Sequence, residues 1–258
     1  MNSDLELAIT LADQADIMTM SRYRAMDLHI ETKPDNTPVT EADQAVERMI
    51  RDALATQRPD DGVIGEEFAD TDTSKSRLWV IDPIDATKNY VRGVPVWGTL
   101  IALVVDGDPL VGMISAPALG RRWWAVRGEG AFTRDVDGTV RQIHVSGVKN
   151  MNDASFSFSD QVGWEKFGNG NAFENVRSSV WRSRAYGDFW SHLMVAEGSV
   201  DIAAEPELNN FDMAAYIAVV IEAGGRVTGF DGTDPLSAGN SVTTNGLLHD
   251  EVLALINK

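Results

Sequence analysis

Ala8, Leu11, Ala15 and Met18 recur at helical spacing behind a Ser3/Glu6 pair with the form of a capping box, which predicts a first helix running to about Asp27. After the loop KPDNTPV, Thr40 heads a second helix whose Ala45, Val46, Met49, Ile50, Ala53 and Leu54 share one face, and this leads into GVIGEEF. The period then changes. Residues 78–81, 96–105, 110–115 and 123–126 read as strands of an antiparallel meander, with Asp106-Gly107-Asp108 as one of its turns. From about Gln142 strands and helices alternate. Helices are expected near 188–197, 211–223 and 250–257, the first two stopped by Gly198 and by Gly224-Gly225. Residues 135–138 and 163–171 read as surface loops. No repeat or linker interrupts the chain, so one compact unit is expected over 1–258, with approximate lobes 1–141 and 142–258.

A chain of 258 residues with 43% hydrophobic content suffices for one large core or two closely packed lobes. A net charge of −17 and a pI near 4.5 argue against nucleic-acid backbones and anionic membranes as partners. An anionic substrate would then need a metal to bind. The absence of cysteine excludes disulfides, thiolate metal sites and cysteine nucleophiles, and fits a reducing compartment. The start, MNSDLELAIT, has no basic leader region, and the longest apolar run, 96–105, is too short to span a bilayer, so a soluble cytoplasmic protein is expected.

In WVIDPIDATKNY an apolar run ends in two aspartates three residues apart around a proline. Charges there cannot enter a core unpaired. Pro83 restricts the backbone, so the chain is expected to turn and let Asp82 and Asp85 face one point suited to a hard cation. An Asp-Pro turn followed by an aspartate helix cap is the plain alternative. Glu66 and Glu67 in GEEF, Asp43 in TPVTEAD and Asp212 in NNFDMAA add carboxylates at element ends, the ligand type Mg²⁺ selects. Taken singly, Asp43 equally suits a capping box, the glutamates a solvated loop and Asp212 a helix start.

In order and spacing, KPDNTPVTEAD, GEEF, WVIDPIDATKNY and FDMAA followed by EAGG resemble the inositol monophosphatase family of metal-dependent phosphatases. Within it, NYVRGVPVWGTLIAL, SAPALGRRWWA, RAYGDFWSHLMVAEGSVDIAAEPELN and TNGLLHDEVL look like the bacterial histidinol-phosphate phosphatases. The resemblance runs essentially the whole chain. It implies an α+β fold, a layered αβαβα sandwich, usually a homodimer, acting on a small phosphate ester. It also implies two Mg²⁺ ions, with a third, weaker ion often placed near Glu66. Glu66, Asp82 and the Ile84 carbonyl would hold one ion, and Asp82, Asp85 and Asp212 the other. Thr87 and Asp43 resemble the family's pair that orients an attacking water, with Glu66 assisting. The Ala86 and Thr87 amides would donate to phosphate if a helix begins there.

Ala86 stands where the common pattern DPIDGT has glycine, so a φ above zero there would cost on the order of 1 kcal/mol. Phe211 before Asp212, and Tyr216 in the helix behind it, read as packing changes. Glu205, seven residues before Asp212, and Asp188 in RAYGD match positions that contact substrate beyond its phosphate, and two acids suit a cationic substrate such as histidinol phosphate. Asn210 and Arg184 are candidates to assist or to serve structure. His29, His144, His192 and His249 are scattered and read as structural. An inositol-1-monophosphatase, or a binding protein weakened in catalysis by Ala86, are the alternatives.

Overall fold

A computed structural model describes residues 2–34 and 36–258, so Met1 and Asp35 of the KPDNTPV loop lie outside the described residues. The first helix, α1 (Ser3–Arg22), starts one residue earlier than a Ser3 cap would place it. Asn2 is the cap, its side chain accepting from the Asp4 and Leu5 amides. It ends short of Asp27 because Tyr23 leaves helical geometry and Arg24 has φ 61°. A small ribbon follows, β1 (Ile30–Thr32) antiparallel to β2 (Pro38–Thr40). Thr40 then caps α2 (Glu41–Gln57), with Asp43 returning a bond to the Thr40 amide at 2.8 Å.

The larger sheet has seven strands in chain order: β3 (Gly62–Gly65), β4 (Arg77–Asp85), β5 (Gly98–Val105), β6 (Asp108–Ala116), β7 (Arg121–Val126), β8 (Gly130–Arg134) and β9 (Val140–Gln142). From β4 onward it is the expected antiparallel meander, and β3 joins β4 in parallel. A short helix, α3 (Thr87–Arg92), follows β4. Successive residues of a strand face opposite sides, so each central strand feeds two cores. Trp79, Ile81, Ile101 and Leu103 pack with Leu11, Val46 and Ile50 of α1 and α2. Val80, Leu100, Ala102 and Val104 pack with Leu193 and Met213 on the opposite face.

Those two residues belong to α6 (Asp188–Ala196) and α7 (Asn210–Glu222), which form the central helical layer. Beyond it lies a five-stranded sheet in the order β11 (Arg182–Arg184), β10 (Ser155–Ser157), β12 (Ile202–Glu205), β14 (Ser241–Thr244), β13 (Arg226–Thr228). Its β12 turns Ala203 toward Val195 of α6 and Ile202 and Ala204 toward an outer core. That outer core is closed by α4 (Gln161–Lys166), α5 (Gly170–Ser179) and α9 (His249–Ile256), with α8 (Pro235–Ala238) a single turn. The layers run α, β, α, β, α. The expected loop at 163–171 is instead mostly helix. Trp164 of α4 and Phe173 and Val176 of α5 are buried in the outer core, a pattern that Gly163, Gly168 and Gly170 obscure in the sequence. No helix among the described residues is long and apolar enough to cross a membrane.

Candidate active site

The β4 strand does not stop at Pro83. Asp82 pairs with Leu100 and Asp85 with Gly98, so Pro83 and Ile84 together oppose the single residue Thr99. This is a β-bulge. In a regular strand, residues three apart point to opposite faces, and the extra residue brings Asp82 and Asp85 back to one side. Thr99 Oγ1, buried, donates to the Pro83 carbonyl at 2.8 Å and pins the bulge. The expected turn is therefore a bulge within the strand. Carboxylate oxygens of Asp82, Asp85 and Asp212 lie within 4.8 Å of one another.

Each of the three is oriented by an amide. Asp82 Oδ1 accepts from Ile84 at 3.0 Å, Asp85 Oδ2 from Phe189 at 3.0 Å, and Asp212 Oδ2 from Asn209 at 2.6 Å. For Asp212 the helix-start role and the cluster role thus coexist in one side chain. Burial, with Glu66, Asp85 and Asp212 nearby, pushes Asp82 well above the usual carboxylate range. Burial and the charges of Asp188 and Asp212 do the same to Asp85. Asp212 is pushed up to about 7, chiefly by burial. None of the three forms an ion pair with Lys or Arg among the described residues. Converging oxygen donors without a counter-charge fit a hard divalent cation.

Glu66, on the loop after β3, lines the same cavity of about 760 Å³ but lies outside that trio. Its Oε1 accepts from Lys33 Nζ at 2.8 Å, and Glu67 Oε1 accepts from the same nitrogen at 2.7 Å. Burial alone would lower Lys33, and these two bonds outweigh it to raise it. Thr87 and Asp43 are not hydrogen-bonded to each other. Thr87 Oγ1 donates to the Ile84 carbonyl at 3.0 Å, while Asp43 is buried in its capping box with Oδ1 unpartnered and is pushed up to about 6 by burial. Ala86, just before α3, has φ 65° and ψ 46°, the left-handed geometry that glycine favours.

A second acidic group borders the cavity. Glu205, at the end of β12, is 5% exposed and is pushed up to about 8 by burial. Ser159 Oγ donates to Glu205 Oε1 at 2.8 Å and accepts the Asp188 amide at 3.0 Å, so one hydroxyl joins the two acids. Asp188, with φ 48°, is pushed up to about 6, again by burial first. Ser159 belongs to no motif in the sequence, and its only signal is its place two residues past β10. Phe211, Tyr216 and His192 also line the cavity, and Phe211 and Tyr216 pack into the core behind it, as expected of packing positions. His192 stacks on Tyr216 with centroids 3.9 Å apart and is held neutral by burial, its pKa lowered to about 3. Arg184 and Asn210 are not on the cavity wall, where Asn209 is found instead.

Resemblance in motif, layer order and clustered carboxylates is matched by a direct comparison: the Inositol monophosphatase family model aligns with residues 1–258. The chain belongs to the inositol monophosphatase family. Members of this family are metal-dependent phosphatases, and the Asp82, Asp85 and Asp212 cluster is a group that could bind metal. The chain is 55% identical over 259 residues to a histidinol-phosphatase of Streptomyces coelicolor, covering 99% of this chain and 97% of that one. It is also 55% identical over 257 residues to a histidinol-phosphatase of Mycobacterium tuberculosis, covering 99% and 98%. Among solved structures, extragenic suppressor protein suhB from Bartonella henselae superimposes with a TM-score of 0.90 at 26% identity, covering 100% of this chain and 99% of that one.

Proposed function

We propose that this inositol monophosphatase family member hydrolyses histidinol phosphate to histidinol and inorganic phosphate with Mg²⁺, in the cytoplasm and as a homodimer. The observation that carries the substrate assignment is the Glu205–Ser159–Asp188 group in the same cavity as the carboxylate trio. Two acids there suit an ammonium or imidazolium body, and the relatives at 55% identity bear the matching name. The net charge of −17 favours a small substrate over nucleic acid or an anionic membrane.

In this reading Glu66, Asp82 and the Ile84 carbonyl would hold one Mg²⁺, and Asp82, Asp85 and Asp212 would hold a second. When bound, the metal supplies positive charge to the phosphate and the leaving oxygen and makes water a competent nucleophile. Thr87 has its hydroxyl proton committed to Ile84, so it meets the attacking water as an acceptor. Asp43 supports the turn that begins α2, near Glu66, and makes no direct hydrogen bond to Thr87. The amides of Ala86 and Thr87 orient the phosphate. A third ion beside Glu66 would have to displace the Lys33 ammonium.

Ala86 at φ 65° favours a second reading, a binding protein with weakened turnover. Phosphate release from histidinol phosphate, inositol 1-phosphate and adenosine 3′,5′-bisphosphate, with Mg²⁺ and with EDTA, separates the possibilities. Fastest Mg²⁺-dependent release from histidinol phosphate is expected. Preference for inositol 1-phosphate, or no release from any ester, would reject the assignment.

A further inference from the structure

The GEEF loop carries two adjacent glutamates, yet only Glu66 lines the cavity containing Asp82, Asp85 and Asp212. Neither residue type nor charge distinguishes them. The backbone behind them does. Glu47 of α2 is completely buried, and its Oε2 accepts the Glu67 amide at 2.7 Å. Its Oε1 accepts the Phe68 amide at 3.2 Å and Arg51 Nε at 2.7 Å. Arg51 then donates to the Phe68 carbonyl at 3.0 Å. Two successive N–H groups therefore wrap one carboxylate, the geometry of a backbone anion nest filled by the protein's own side chain.

The consequence falls on Glu66. The Glu67 N–H belongs to the peptide that follows Glu66, so holding it sets ψ of Glu66 and with it the direction of that side chain relative to the loop. Gly65 makes the close approach possible, since a Cβ there would lie 2.1 Å from Glu47 Oε1 and 2.7 Å from the Arg51 guanidinium. Lys33 takes up Glu66 at 2.8 Å and Glu67 at 2.7 Å alike, so it does not distinguish the two and the choice falls to the backbone. We propose that Glu47, with Arg51, is a positioning residue that selects Glu66 over Glu67 as the carboxylate presented to the metal cluster. Glu47 touches neither the cavity nor a substrate. The assignment rests on the reading of Glu66 as a metal ligand.

The test is a double-mutant cycle on metal uptake. Mn²⁺ binding to the purified full chain is measured by isothermal titration calorimetry for the wild type, Glu47→Gln, Glu66→Gln and the double variant, with thermal unfolding as a control. An amide at position 47 cannot accept from all three donors, so Glu47→Gln should weaken Mn²⁺ binding about tenfold in the wild-type background. In the Glu66→Gln background the same change should alter binding less than about twofold, because the ligand through which Glu47 acts is already gone. Equal losses in both backgrounds would show a general structural role and overturn the proposal. A wild-type chain that takes up no Mn²⁺ would overturn the metal reading and this proposal together. Should Glu47→Gln fail to fold, Arg51→Lys decides in the same cycle. It keeps the charge beside Glu47 but loses the bond to Phe68, and is expected to weaken binding about two- to fivefold with the same dependence on Glu66. A loss independent of Glu66 would again overturn it.

Discussion

Asp85 accepts a hydrogen bond from the amide of Phe189, 104 residues further along the chain, at 3.0 Å. The bond joins the bulged end of β4 to the first turn of α6, beside Asp188. One oxygen of Asp85 is thereby used to place the helix that carries a candidate substrate acid, and the other remains for a cation. The carboxylate cluster and the distal acids are parts of one framework.

Asp85→Asn and Asp212→Asn should each lower Mg²⁺-dependent phosphate release at least ~100-fold, because each removes charge from the cluster that would hold the ion. Chelation of the unmodified chain with EDTA should abolish turnover. The metal-free variants should unfold at the same or a higher temperature than the metal-free wild type, since a buried like charge has been removed. Near-normal turnover in EDTA would contradict the metal requirement.

The pH dependence of stability follows from the raised carboxyls. Asp188, Asp212 and Glu205 are pushed up to about 6, 7 and 8, above the ordinary values near 4 that they regain on unfolding. Between about pH 4 and pH 8 these carboxyls hold more protons in the folded chain than in the unfolded one. The buried His192 and His249, lowered to about 3 and about 4, act in the opposite sense below about pH 6.5 but are outnumbered by the raised carboxyls, so stability of the metal-free protein falls as pH rises. Mg²⁺ competes with the proton on Asp212, so its stabilising effect should grow as pH rises through about 7. Thermal unfolding at pH 5.5 and pH 8 in EDTA, and again with Mg²⁺, checks both signs. A metal-free melting temperature that climbs with pH would refute the linkage.

Ala86→Gly relieves a left-handed backbone at φ 65° but removes a methyl packed near Ile84, Tyr90 and Trp97. The strain term is of order 1 kcal/mol, while lost packing of one half-buried methyl and the added freedom of the unfolded chain oppose it. The expected net change in stability lies between zero and about 1 kcal/mol in favour of glycine, read from the denaturant midpoint. Turnover should equal or exceed that of the wild type. A large loss would mean that the methyl group itself shapes the phosphate cradle.

Glu205→Gln should cut kcat/KM for histidinol phosphate about ten- to a hundredfold, the worth of a charge-assisted hydrogen bond. The loss for inositol 1-phosphate should be much smaller, since glutamine still accepts from a hydroxyl. Ser159→Ala should show the same substrate bias at lower amplitude, because it frees Glu205 and the Asp188 amide from their shared partner. Equal losses on both esters would move Glu205 to a structural role.

Much of this was legible along the chain. The apolar runs of β4 and β5 and the single apolar face of α2 marked which segments would be buried. Thr40 and Asp43 announced their cap by type and spacing alone. Local patterns of this kind are readable because their partners lie within one turn of helix or one strand. Helix ends were less so: Asn2 competed with Ser3 for the first cap, and the glycines of 163–171 masked α4 and α5, which only the outer core stabilises.

By itself the sequence determined the alternation that gives β4 two buried faces, the carboxylates Asp82, Asp85 and Asp212, and the motif order that marks the family. Only the tertiary structure decided how those carboxylates converge, because pairing with a neighbouring strand, where Thr99 bonds the Pro83 carbonyl, places a bulge that turns Asp82 and Asp85 to one side. It likewise decided that Thr87 bonds to Ile84 in place of Asp43, that Ser159 joins Glu205 to Asp188, and that Glu47 stands behind Glu66. The physical reason is range. Periodicity and capping are set by contacts a few residues apart, whereas a site is assembled by hydrogen bonds and charges between segments tens of residues distant, whose meeting is set by the packing of both sheets on the central helices.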